Sequence, residues 1–134
     1  FSVSVSFQDD EPKFSDSIRQ EFEPAGEILY VRLHGRNQAK WWRHAEPWER
    51  YDYFYSAQQI SALRARLARL ATQAPNTKIH VLFNNHARGQ AVANALMLKD
   101  QMGQKIGGFL PRTLVQAYPD LASLAPPEPG RTLL

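Results

Sequence analysis

The chain has 134 residues, 43% of them hydrophobic, no cysteine, and a formal net charge of +3 with a sequence pI near 9.4. This length and hydrophobic content suit one domain with an ordinary core, and the absence of cysteine excludes disulfides and thiolate metal sites. No apolar run approaches the ~20 residues of a membrane-spanning helix, and the opening lacks the pattern of a secretion signal, so we expect a cytoplasmic protein without a membrane partner.

The first predicted element is a strand. Residues 1–7, FSVSVSF, alternate apolar and serine side chains, which predicts a strand with one polar face. An acidic connection that contains proline follows it. We therefore assign residues 1–27 to an edge strand and a connection, whose placement the sequence leaves open.

The clearest strand lies in the stretch Ile28–Asn37, ILYVRLHGRN. Its alternation puts leucine and valine side chains on one face, and Tyr30, Arg32 and His34 on the other. One face therefore suits a hydrophobic core, whereas the other carries groups that can bind or react. The strand runs directly into the polar sequence HGRN.

The next segment, residues 40–55, has the aromatic sequence KWWRHAEPWERYDYFY. Such a content of Trp and Tyr is unusual for a connecting loop. The rings could wall a pocket or stack on a sugar or a base. The alternative is that the segment packs onto its own domain.

A helix is predicted over residues 57–73. Ser56 and Gln59 have the spacing of a capping box, in which each side chain bonds the backbone N–H of the other residue. Apolar residues three and four apart predict a face that packs on the sheet: Ile60, Leu63, Leu67 and Leu70. The arginines are Arg64, Arg66 and Arg69. They are typical of a solvated helix face, and a nucleic-acid surface is the alternative.

The stretch Lys78–Asn85, KIHVLFNN, repeats the alternation of the first strand and ends in the loop NNHARG. A helix is predicted from Gln90, and Pro111 can begin a short final helix. We interpret residues 122–134 as a flexible, proline-rich tail. The order strand, helix, strand, helix predicts a right-handed βαβ unit with parallel pairing.

In parallel α/β folds, ligands bind at the carboxyl ends of the strands. The loops HGRN and NNHARG both follow predicted strands, and both contain Arg, His and Asn. We therefore expect these two loops to share one site.

Three motifs in this order, YVRLHGRN, ERYDYFYS and VLFNNHARGQAVANALML, resemble the carboxyl-terminal half of the YecE-like family, domain of unknown function 72 (DUF72). The resemblance covers roughly residues 22–121. It implies an α/β, TIM-barrel-like fold, in which residues 28–121 form a partial barrel domain made of the later βα units. A barrel of this kind takes about 250 residues, so the resemblance also implies an open sheet edge. The first strand, or self-association with a second chain, would cover that edge. The family is one of unknown function, so no reaction is implied.

The candidate catalytic residues are His34, as a general base near neutral pH, and Arg32. The candidate ligand-binding residues are the polar and aromatic residues around the two loops, Tyr30, Arg36, Asn37, Trp41, Trp42, Asn84, Asn85, His86 and Arg88. His34 and His86 lack a third ligand nearby in sequence, so we predict no metal site. The sequence indicates no particular cofactor.

Two functions fit these residues. The first is a site for a small anionic ligand, phosphate or sugar-like, at the carboxyl ends of the strands, and the sequence leaves open whether this site is enzymatic. The second is a nucleic-acid-binding module that uses the basic helix 57–73 and the aromatic loop 40–55. We favour the first, because its polar groups converge where α/β folds bind ligands, whereas the helix arginines need no special explanation.

Overall fold

The computed structural model describes residues 3–9 and 26–130, and every structural statement below concerns those residues. Most of the predicted connection within residues 1–27 lies outside them, as do the last four residues of the predicted tail.

The described strands form one parallel sheet. These strands are β1 (Val3–Asp9), β2 (Ile28–Leu33) and β3 (Lys78–Phe83), in the spatial order β1-β2-β3. The pair β2–β3 is in regular register, with Val31 opposite Val81, whereas the register of β1 against β2 shifts once. The predicted parallel pairing of β2 and β3 is confirmed. The partial TIM-barrel-like domain that the resemblance implied stays a prediction.

The described residues include four helices, of which the first was not predicted and the other three follow the predicted order. They are α1 (Gln38–Trp41), α2 (Ala57–Gln73), α3 (Gln90–Gln101) and α4 (Arg112–Ala117), and short 3-10 turns span Pro47–Tyr51, Ala87–Gly89 and Pro119–Ser123. The predicted capping box begins α2, since the Gln59 N–H donates to Ser56 Oγ at 3.3 Å and the Ser56 N–H donates to Gln59 Oε1 at 2.9 Å. No helix in the described part of the chain is long and apolar enough to cross a membrane.

The main core lies between β2 and α2. Leu29, Val31 and Leu33 of β2 have no solvent exposure, and the four apolar residues predicted on α2 are buried against them. The apolar side chains of β3 pack at the margin of this core. The predicted core faces of β2, β3 and α2 are therefore confirmed.

The opposite face of the sheet is more accessible. Tyr30 and Arg32 are partly buried there, whereas His80 and Leu82 are exposed. This difference between faces follows from the two-residue period of a strand, because one face packs against α2 and the other does not.

A second cluster joins α3, α4 and the start of the tail. Its buried members are Ala93, Leu110, Leu114, Leu121 and Ala125. The Leu110 N–H donates to the Pro126 carbonyl, and the Glu128 N–H donates to the Leu110 carbonyl, each at 2.9 Å. Residues up to 128 of the predicted flexible tail thus pair with the segment before α4.

Replacing Leu29 with alanine should lower the free energy of unfolding by about 2–5 kcal/mol, because it removes a fully buried side chain and leaves a cavity. Equilibrium denaturation in urea measures this loss. The matched control is Leu82→Ala on β3, where the side chain is 42% exposed and the loss should be much smaller. Equal losses in the two variants would contradict the assignment of the core face.

Candidate functional site

The loops after β2 and β3 lie side by side, as the sequence predicted. The Asn84 N–H donates to the Leu33 carbonyl at 2.6 Å, which extends the parallel pairing beyond β3. The Asn84 side chain then reaches His34, with 3.0 Å between Asn84 Nδ2 and His34 Nδ1. The first residue of each loop is therefore held against the other.

Three carboxamide side chains, which we call the carboxamide network, hold the end of the aromatic segment: Asn85, Gln90 and Asn94. Asn94 accepts from the Tyr55 N–H at 3.1 Å and donates to the Tyr55 carbonyl at 2.9 Å. Gln90 Oε1 accepts from the Tyr53 N–H at 2.9 Å. Asn85 donates to the Tyr53 carbonyl at 2.7 Å and to Asn94 Oδ1 at 2.9 Å. These side chains thus supply the backbone hydrogen bonds that a neighbouring strand would otherwise give to this extended segment.

Gly35 joins the loop after β2 to the same segment. Its N–H donates to the Tyr55 hydroxyl oxygen at 2.8 Å. Its φ is +93°, and a Cβ at this position would lie 2.7 Å from the Cβ of Tyr53. Any side chain here would therefore require both a left-handed backbone and displacement of the aromatic segment.

An aromatic cluster forms around Tyr51. Its ring centroid lies 6.0 Å from that of His34 and 5.2 Å from that of His86. Trp41 approaches the same ring edge-on at 6.4 Å, and the Arg50 guanidinium lies 5.8 Å from its centroid. Tyr51 thus links the two loop histidines. Tyr55 packs into the core with Tyr53 against it, as expected for a segment that packs onto its own domain. That the rings wall a pocket or stack on a ligand stays a prediction.

His34 is 7% exposed, and its two ring nitrogens have different surroundings. Because the Asn84 amide nitrogen can only donate, His34 Nδ1 accepts, and the neutral ring carries its proton on Nε2. Nε2 is buried and has no hydrogen-bond partner among the described residues. Burial lowers the pKa of His34, and the positive charge of Arg32 lowers it further. At neutral pH, His34 is therefore an uncharged hydrogen-bond donor.

An ion pair lies beside this cluster. Arg88 Nη2 is 3.8 Å from Asp52 Oδ2, and the side chains are 74% and 27% exposed. Asp52 Oδ1 also accepts from Gln90 Nε2 at 2.8 Å. An ion pair this long and this exposed contributes little to stability, about 0.2–1 kcal/mol at most.

Several predicted site residues have other partners in the structure. Asn37 Nδ2 donates to the carbonyls of Glu49 and Asp52, each at 3.0 Å, so Asn37 holds the aromatic segment. Asn85 is fully buried within the carboxamide network. A ligand contact by either residue stays a prediction.

The structure brings His34, Asn84 and His86 together near Tyr51, with Trp41 beside them. Of the remaining predicted ligand-binding residues, Tyr30 is partly buried within β2, and Arg36, Trp42 and Arg88 are exposed. Within residues 3–9 and 26–130, no group of three or more His, Asp or Glu side chains could hold a metal ion.

Four residues around the two loops were not among the predicted site residues: Tyr51, Asp52, Gln90 and Asn94. A signal for the last two was present, since Gln90 and Asn94 are four residues apart and share the buried face of α3. Polar residues on a buried helix face need hydrogen-bond partners, which would have indicated a network.

Replacing Asn94 with leucine should destabilise the protein by about 3 kcal/mol or more, since the buried N–H and carbonyl of Tyr55 both lose their partner. Urea denaturation measures the change. Gln58→Leu, at an exposed position of α2, is the control and should change stability by about 0.5 kcal/mol or less. An Asn94→Leu variant that is as stable as the wild type would show that the network does not hold the segment.

Solved structures resemble this chain in fold. A DUF72 family protein from Thermotoga maritima MSB8 aligns with a TM-score of 0.61 and 33% identity, over 74% of this chain and 36% of that one. A DUF72 family protein from Enterococcus faecalis V583 aligns with a TM-score of 0.63 and 26% identity, over 81% of this chain and 40% of that one.

The sequence comparisons agree. The UPF0759 protein YunF of Bacillus subtilis (strain 168) is 32% identical over 92 residues, in an alignment that covers 63% of this chain and 30% of that protein. This chain thus spans well under half the length of these relatives. The family model described as "Protein of unknown function DUF72" matches residues 3–118, a range that includes β1. Because this match covers far more than half of its length, the chain belongs to the DUF72 family.

Proposed function

We propose that this chain provides a binding site for a small anionic ligand, phosphate or sugar-like, at the carboxyl ends of β2 and β3. The observation that carries the proposal is His34 Nε2, which is buried and has no partner among the described residues. With Nδ1 facing the Asn84 amide nitrogen, Nε2 is the nitrogen that carries the proton in the neutral ring. Buried polar groups in folded proteins are nearly always hydrogen-bonded, and an exception at the end of a parallel strand suggests a place for a ligand atom.

The positive charges around His34 favour an anionic ligand. Arg32 lies two residues before it on β2, close enough for its charge to lower the pKa of His34. Arg88 follows β3, on the loop that His34 contacts through Asn84. Guanidinium groups bind phosphate and carboxylate through paired hydrogen bonds, so these arginines supply the expected partners of an anionic ligand.

The protonation of His34 refines its proposed role. A general base needs a nitrogen with a free lone pair, but Nδ1 already accepts from Asn84 and Nε2 carries the proton. In the proposed complex, His34 therefore donates from Nε2 to a ligand oxygen. Such a donor could bind a ligand or polarise a reacting group, and we assign no reaction.

The proposal is tested by titrating the whole chain with inorganic phosphate and with glucose 6-phosphate in a calorimeter. His34→Gln should weaken binding about tenfold or more, because a hydrogen bond to a charged ligand is lost or lengthened. His80→Gln is the matched control, since His80 is exposed on β3, and it should bind as the wild type does. Thermal unfolding of both variants shows whether each remains folded.

Binding that is unaffected by His34→Gln, or no binding of either anion, would contradict the proposal. A titration with a short single-stranded oligonucleotide tests the alternative. If the oligonucleotide binds, and neutralising the arginines of α2 abolishes this binding while His34→Gln does not, the nucleic-acid function would replace the one proposed here.

A further inference from the structure

Arg88 has an unusual backbone. Its φ is 51° and its ψ 25°, and among the described residues it is the only non-glycine residue with a positive φ. A side chain in the left-handed region is strained, and such strain persists only where the surroundings impose it. Here the Tyr118 hydroxyl donates to the Arg88 carbonyl at 3.1 Å. The backbone of Arg88 is thus held in place.

The side chain of Arg88 is bound far less firmly than its backbone. It is 74% exposed, and its contact with Asp52 Oδ2 is 3.8 Å long. Asp52 itself is fixed by the 2.8 Å hydrogen bond from Gln90 Nε2 to Oδ1. The pair therefore joins a fixed carboxylate to a guanidinium that can leave at little cost.

This ion pair adjoins Tyr51, whose ring lies between the two loop histidines. Asp52 directly follows Tyr51, whose ring is 5.2 Å from His86 and 6.0 Å from His34. Arg88 is two residues beyond His86 in the loop after β3. The ring of Tyr51 thus connects His34 to the residue whose carboxylate is the partner of Arg88.

We propose that Asp52 competes with the ligand for Arg88, and that the ligand is a phosphate dianion which replaces Asp52 as the partner of this arginine. The inference rests on the proposed function, since it specifies the ligand of the same site. A carboxylate ligand would gain little by replacing another carboxylate. A phosphate group has up to two negative charges and three acceptor oxygens, so the exchange favours it.

The decisive variant is Asp52→Asn, which keeps an Oδ1 acceptor for Gln90 and removes the competing charge. Calorimetric titration with inorganic phosphate should show binding about two- to fivefold tighter than in the wild type, the range expected for release of an exposed ion pair. Arg88→Gln should weaken binding by a similar factor or more. Asp100→Asn, at an exposed position of α3, changes the net charge equally and is the control.

A double variant that combines Asp52→Asn with Arg88→Gln distinguishes the release of Arg88 from simple charge repulsion between Asp52 and the ligand. If Asp52 acts through Arg88, Asp52→Asn should no longer tighten binding once Arg88 is glutamine. Acetate should bind the wild type more weakly than phosphate does. Tighter binding of glucose 6-phosphate than of inorganic phosphate would identify the dianion as a phosphate ester.

Each other outcome overturns the inference. If phosphate binds and His34→Gln weakens it, but Asp52→Asn has no effect, competition by Asp52 is wrong and the proposed function stands. If Asp52→Asn tightens binding equally with and without Arg88, the effect is charge repulsion alone. If acetate binds as tightly as phosphate, the ligand class is wrong. If the wild type binds neither inorganic phosphate nor glucose 6-phosphate, both proposals fail.

Discussion

The arrangement of the site depends on the carboxamide network of Asn85, Gln90 and Asn94. The extended segment that contains Tyr53 and Tyr55 runs across the ends of the strands, where its buried N–H and carbonyl groups need hydrogen-bond partners. Side-chain amides provide them, because each carries both a donor and an acceptor and can imitate a peptide group. Once the segment is fixed, Tyr51 and Asp52 are fixed with it, and so are their distances to the two loops.

The parts of the fold that depend on local patterns could be predicted from the sequence. The alternation in β2 and β3, the capping box at Ser56 and the apolar face of α2 each indicate an element directly, and all are present. The carboxamide network was missed because an amide side chain in a sequence can as well lie on the surface. Its partners are 32 to 39 residues away, so only the folded chain brings them together.

The same limit explains what could be predicted of His34. Alternation placed it at the end of β2, facing away from the core that α2 covers, and loop composition placed other polar groups near it. Its tautomer depends on Asn84, 50 residues later, and that contact changes the proposed role from a base to a donor. Membership of DUF72 does not decide between these roles, because a family of unknown function assigns no chemistry to its residues.

A measurement of the protonation state of His34 tests the proposed site most directly. The measurement is side-chain ¹H–¹⁵N NMR of the ¹⁵N-histidine-labelled chain over roughly pH 5 to 8, with His80 as an exposed reference. We expect His34 to be neutral at pH 7, with its proton on Nε2, and to titrate below its usual pKa of 6.5 because of burial and the charge of Arg32. A proton on Nδ1, or titration at or above that value, would show that His34 is not the buried donor on which the proposed site depends.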